Sequence, residues 1–229
     1  MTSHLPPSLL RSENERAVSR LSEYYSAGNP YTGVTFDTWH SRHCAPAPTE
    51  FTADDILAVT FLSVTVPPAA TRQLLAGEFN RFNFLLAQIP PDLCFWEASA
   101  PDRASAQWQL EDALREFYSI DLAIASKLMA RKRPHLVPIN DKLVRDLLGL
   151  RHSFWGSLFV AFSDSRLKSR LASIRDEAGS RDDVAMPQGL SLLRVFDVIT
   201  WMDGKAGTAE PRKQDGGPLP HDNTNETHP

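Results

Sequence analysis

Apolar positions along this chain recur at three- and four-residue spacing, with almost no alternating runs, so the pattern predicts helices throughout. Ala17, Val18, Leu21, Tyr24 and Tyr25 mark the first helix, opened by Ser12 and Glu15 in a capping-box arrangement and ended by Gly28, Asn29 and Pro30. Residues 29–50 hold Pro30, Pro46 and Pro48 and little periodicity. A surface loop is expected there, with a short extended piece at residues 34–36. Thr52 followed by Asp54 and Asp55 predicts a capped helix start, because the hydroxyl caps and the acids complement the helix dipole. That helix should end before Pro67 and Pro68. Leu75, Phe79, Phe82 and Leu86 share one helical face and predict a long amphipathic helix that Pro90 and Pro91 stop.

The densest patterning lies between residues 108 and 150. Leu110, Ala113, Leu114, Phe117 and Tyr118 predict one helix, and Ser119 or Asp121 caps a second that runs from Leu122 to about Arg131. Pro134 and Pro138 bracket a short connection. Asn140 or Asp141 then caps a third helix through Leu148, closed by Gly149 in the left-handed conformation. Further on, Phe154, Trp155, Leu158, Phe159 and Phe162 form a buried stripe. Leu167, Leu171, Ile174 and Ala178 form a narrower one on a surface helix, and Leu192, Val195, Phe196, Ile199 and Met202 form a last core helix. Residues 1–7 read as a flexible leader, 8–203 as a single all-α domain of about eight to ten helices, and 204–229 as a disordered tail poor in large apolar side chains.

Composition narrows the function classes. With 42% hydrophobic and 23% charged residues, the 229-residue chain is ordinary for a globular protein able to bury a core unaided. Its net charge of −4 excludes a globally basic nucleic-acid binder but not a local basic patch. The two cysteines, Cys44 and Cys94, form no CxxC pair, which argues against a zinc or iron–sulfur site and suits a reducing compartment. No signal-peptide pattern, membrane-length apolar run or cofactor motif is present, so the expectation is a cytoplasmic protein with no cofactor and no membrane contact. His40, His43 and Cys44 lack a clear fourth ligand and read as loop residues. Trp96 and Trp108 stand beside helical stripes and read as core, with base stacking as the alternative.

The central element of helix, tight turn, helix, proline-rich link and capped helix resembles the helix-hairpin-helix DNA glycosylase superfamily. The link Val137-Pro138-Ile139-Asn140-Asp141, followed by Val144-Arg145 and Leu148-Gly149-Leu150, carries the resemblance, and Ser119-Ile120-Asp121 stands at the hairpin. The resemblance implies that Asp141 stabilises positive charge on the sugar, or helps activate the nucleophile, as a glycosidic bond breaks. Where lyase-competent members carry a nucleophilic lysine, this chain has Ala123, which implies a monofunctional enzyme. The hairpin lacks the family's glycines, and Asp121 adds a negative charge at a place where the family approaches phosphate. The whole chain also resembles a bacterial family of uncharacterised proteins through Lys132-Arg133-Pro134-His135-Leu136-Val137-Pro138, a likeness that brings no function with it.

Two readings of Asp141 follow, a helix N-cap or a functional carboxylate, and they are compatible. Around it, residues 127–151 hold seven cations against two acids. Lys127, Arg131, Lys132, Arg133, Lys142 and Arg145 are the candidate contacts to a DNA backbone, or else cations complementing a helix end. Asp197 and Asp203, on or beside the last core helix, carry no role legible at this level. The leading reading is a DNA-binding protein resembling a monofunctional N-glycosylase that acts through Asp141. Its rival is a non-enzymatic all-α interaction module.

Overall fold

The link between residues 133 and 141 joins two sets of helices, and this crossing decides where Asp141 stands. The computed structural model describes residues 5–10, 14–39, 47–76, 81–98, 102–150 and 153–209. In its first half these are α1 (Pro7–Leu10), α2 (Glu15–Tyr25), α3 (Gly33–Thr38), α4 (Ala53–Thr60), α5 (Pro68–Leu74) and α6 (Arg81–Ala87). The second half holds α7 (Ala106–Arg115), α8 (Leu122–Lys132), α9 (Lys142–Leu148), α10 (Phe154–Phe162), α11 (Ser165–Gly179) and α12 (Leu192–Ala209). Among the described residues there is no strand, only an isolated bridge between Ser26 and Val184. The expected all-α class is therefore correct. No helix among them is long and apolar enough to cross a membrane.

In one set α4 packs on α8, α8 on α7 and α7 on α6; in the other α12 packs on α2, α9, α11 and α1. The apolar stripes face inward. Leu21 and Tyr25 of α2, Phe82 of α6, Leu110 and Leu114 of α7, Phe162 of α10 and Ile199 of α12 are buried in one continuous core. Phe162 meets Phe95 and Phe196 edge-on at 5.9 and 5.5 Å, so Phe95 and Trp96 supply core side chains from a segment that forms no helix. Each such side chain contributes about 1.5–3 kcal/mol by leaving water.

Local signals set several boundaries as expected. Thr52 and Asp55 form a full capping box on α4, Asp121 caps α8, and Asp141 caps α9. Gly149 ends α9 at φ 67°, a conformation that an L side chain adopts only under strain.

Other expectations need correction. The segment 34–36 is helical, within α3, and Phe36 packs into the core from that helical turn. The single helix expected from Leu75 through Leu86 is two elements. α5 starts at Pro68 and ends at Leu74, leaving Leu75 exposed at its C-cap, and α6 begins at Arg81. Tyr118 lies past the end of α7 and is fully exposed rather than on its apolar face. The last helix runs on through Ala209, beyond the expected boundary at Gly204. Gly204 is buried, and a Cβ there would stand 2.8 Å from Leu143 Cγ. Its missing side chain lets α12 approach α9 closely. Ser12, Phe79, His40, His43, Cys44 and residues 210–229 lie outside the described residues.

Candidate functional site

Asp141 is both a helix cap and a cleft residue. Its Oδ1 accepts the Leu143 N–H at 2.9 Å, as an N-cap must, while Oδ2 accepts the Lys127 ammonium at 3.3 Å. Lys127 is buried on α8 and also donates to the Leu62 carbonyl at 3.0 Å. The Lys127 ammonium thus stands directly against the Asp141 carboxylate. The Asp141 side chain keeps 25% of its surface open to solvent.

That open face borders a cleft of about 410 Å³ between the two helix sets. Tyr24, Tyr31 and Trp201 form its aromatic wall: Tyr24 and Tyr31 stack at 5.4 Å, and Trp201 stands edge-on to Tyr31 at 5.5 Å. Exposed Lys205 holds its ammonium 5.4 Å from the Trp201 ring at the mouth. Asp197 and Arg194, one helical turn apart on α12, line the floor.

Arg194 is the hub of a buried network. Its guanidinium donates to Asp37 Oδ1 at 2.8 Å and Oδ2 at 3.0 Å, to the Tyr24 hydroxyl at 2.9 Å, and to Asp197. The Tyr25 hydroxyl donates to Asp37 Oδ2 at 2.8 Å. Burial pushes the Tyr24 hydroxyl up to about 12, against the opposing pull of Arg194. Burial likewise pushes the Asp197 carboxyl up to about 6; Arg194 opposes the shift and the negative charge of Asp141 adds to it. The cleft thus holds two interacting carboxylates in unlike environments, one solvated and lysine-paired, the other buried with a raised pKa. Unlike pairs of this kind can divide acid and base roles. Asp197 also borders an apolar cavity of about 330 Å³ behind Arg194, between Phe36, Trp39 and Leu193.

The basic run does not form one exposed face. Arg133 is among the most deeply buried large side chains, and it donates to the carbonyls of Ile89, Pro48, Lys132 and Leu86 at 2.7–2.8 Å. Lys132 is buried against Asp55, 2.8 Å from its Oδ2, and burial lowers its pKa while Asp55 opposes that shift. Asp55 therefore closes the capping box of α4 and neutralises Lys132 at once. Arg131 donates to the carbonyls of Phe36 and Trp39 at 3.0 and 2.7 Å and stands 3.5 Å from Asp55. Lys142 is exposed and paired with Asp146 one turn on. Arg145 lines a different cavity from Asp141. Of the six candidate cations, then, Lys127 alone touches Asp141; three others fasten the α3–α4 region and the residues around Ile89 to the end of α8. The sequence offered one signal for this. Lys132 and Arg133 sit at a helix end flanked by Pro134, where buried carbonyls need donors.

Sequence reasoning missed Arg194, Asp37, Asp197 and Asp203 as working residues. Asp203 is buried and holds α1 in place: the Ser8 N–H and hydroxyl both donate to it at 2.7 Å, and Arg20 donates at 3.3 Å. The available signal was polar residues interrupting the apolar stripe of α12 at Arg194, Asp197 and Asp203. Trp96 stacks on Phe162 and Trp108 packs on Trp155, as core-flanking tryptophans.

No curated protein and no solved structure matches this chain. A model of the family DUF6308, described as a family of unknown function, matches residues 17–204, from α2 to Gly204 in α12, and so takes in every residue of the cleft up to that point. By that match, the chain belongs to the DUF6308 family.

Proposed function

We propose that the cleft beside Asp141 is the site of a DNA-binding protein resembling a monofunctional N-glycosylase. One observation carries the reading. A partly solvated carboxylate, anchored by a buried lysine, opens into an aromatic-walled cleft that holds a second carboxyl of raised pKa. An extruded base would enter against this aromatic wall, where stacking on one exposed ring face is worth about 1–3 kcal/mol. Asp141 would then stabilise the sugar cation as the C–N bond breaks. Water adds to the anomeric carbon and gives up a proton, and the departing base takes one. Asp197, neutral below a pH of about 6, is the group suited to exchange it. Ala123 stands where the family's lyase lysine would, and the Lys127 ammonium is engaged by Asp141 and the Leu62 carbonyl, so the reading is of hydrolysis alone. With Lys132 and Arg133 turned inward, backbone contacts fall to exposed Lys205 and Lys142.

The test is anisotropy of a labelled duplex containing an abasic-site analogue, against the undamaged duplex, over a salt series. The reading expects tighter binding to the analogue, steep weakening by salt, and losses in Trp201→Ala and Lys205→Ala. Equal binding to both duplexes overturns it. A second reading, a non-enzymatic interaction module, is favoured by the inward-turned cations and by Tyr118, which projects fully exposed beside the α7–α8 turn. It expects both duplexes to be bound equally or not at all.

A further inference from the structure

The link that ends at Asp141 has a second side. Asn140, one residue earlier, lines a separate cavity of about 450 Å³ with Arg103, Arg115, Arg145, Trp108 and Trp155. Arg103 precedes α7, Arg115 ends it, and Arg145 lies in the middle of α9, so three elements converge there. None of the three guanidinium groups has a hydrogen-bond or salt-bridge partner among the described residues. The acid beside them, Glu111, is buried, and burial raises its carboxyl above the usual range while Arg115 opposes this; it forms no salt bridge with any of the three.

Three guanidinium groups that line one cavity, with no hydrogen-bond or salt-bridge partner among the described residues, make it a favourable place for an anion. Other features of the cavity point the same way. Asn140 is 4% exposed, yet its Oδ1 has no hydrogen-bond partner, and the buried Trp108 Nε1 has none. Buried polar atoms are ordinarily satisfied, and these two belong to residues that line the cavity, where a small side-chain rotation would turn them toward a ligand. The N-terminus of α10 opens at the same rim: its N-cap Ser153 is held left-handed at φ 55° and does not cap its own helix, leaving first-turn N–H groups for an acceptor.

We infer that this cavity binds a phosphate ester carried on a planar ring, that is, a nucleotide, either free or within a strand. The arginine forks match phosphate oxygens in pairs. The Asn140 amide offers both a donor and an acceptor to a ring edge, and half-buried Trp108 offers a stacking face. The site shares no side chain with the Asp141 cleft and does not depend on the chemistry proposed there.

The test is titration of the full chain with adenosine monophosphate, adenosine, inorganic phosphate and a short phosphorylated single strand, read by calorimetry and tryptophan fluorescence. The monophosphate or the strand should bind and change the emission, and the tighter of the two identifies the source of the phosphate. Arg103→Ala and Arg115→Ala should each weaken binding about tenfold, the effect of losing one charge-assisted contact. Trp108→Phe should reduce the emission change to the part that Trp155 on the same wall contributes. Both arginines are exposed, so these variants should keep the fold, which circular dichroism checks. The inference is overturned if neither nucleotide binds, if adenosine or inorganic phosphate alone binds as tightly as the monophosphate, or if the double arginine variant binds unchanged. Failure here leaves the abasic-duplex result standing.

Discussion

Replacing Arg133 with Met separates a structural cation from a DNA-binding one. Met follows the aliphatic path of the arginine but offers no donor, so the carbonyls of Ile89, Pro48, Lys132 and Leu86 lose this donor together. An orphaned buried carbonyl costs about 1–3 kcal/mol. Leu86 keeps the Ile89 N–H and Pro48 is exposed, so the carbonyls of Ile89 and Lys132 are the ones stranded, and the lost desolvation of a buried guanidinium offsets part of that cost. A net loss of about 2–5 kcal/mol is expected, from two stranded carbonyls less the recovered desolvation. At about 2–4 °C per kcal/mol for a domain of this size, the midpoint should fall by about 10 °C in a thermal melt. Arg133→Lys keeps the charge but cannot reach four carbonyls from one ammonium, so it should recover less than half the loss. A melt of Arg133→Met within about 2 °C of the parent, with weakened DNA binding, would refute the structural role and restore the sequence-based one.

Asp55→Asn should destabilise by about 3–5 kcal/mol in chemical denaturation, because it leaves Lys132 buried without its counter-ion while keeping a capping-capable side chain. Asp203→Asn removes the carboxylate that holds Ser8 and Arg20. Hydrogen exchange should therefore rise in α1, with little change in the α7–α8 pair. Asp197 carries a folded pKa of about 6 against an ordinary value of 3.8, so the folded form holds the proton more tightly. Its contribution to stability is full at low pH and is lost as pH rises between those two values. Asp197→Asn should flatten that slope in denaturation measured across the window. Gly149→Ala should cost about 1–2 kcal/mol, since φ 67° is strained for any L side chain, and a melt reads it directly.

The helices were legible because their stripes are long and their caps local. Thr52, Asp121, Asp141 and Gly149 each act within four residues of where they stand in the chain. What escaped were contacts between distant parts of the chain. Lys132 reads as a surface cation until Asp55, 77 residues away, is seen against it. Asp203 reads as a helix end until Ser8, 195 residues away, donates to it. Arg133 misleads most, because nothing around it in sequence says that the carbonyls of residues 48, 86 and 89 converge on that point. Asp141 was legible as a cap and as a candidate acid. Its aromatic wall was not, because Tyr24, Tyr31 and Trp201 come from opposite ends of the chain.

In the proposed reading Asp141 faces a developing cation as well as capping α9. The direct test compares duplexes carrying a positively charged iminosugar or a neutral abasic analogue at one position, bound to the parent and to Asp141→Asn. Asparagine is as good an N-cap as aspartate, so the start of α9 should hold while the charge is lost. The variant also strips buried Lys127 of its counter-ion, so a thermal melt accompanies the binding measurement to show that the variant is folded at the assay temperature. The parent should prefer the charged analogue by about tenfold or more, and Asp141→Asn should remove this preference. Equal affinity of the parent for both analogues would contradict the reading and leave Asp141 a helix cap.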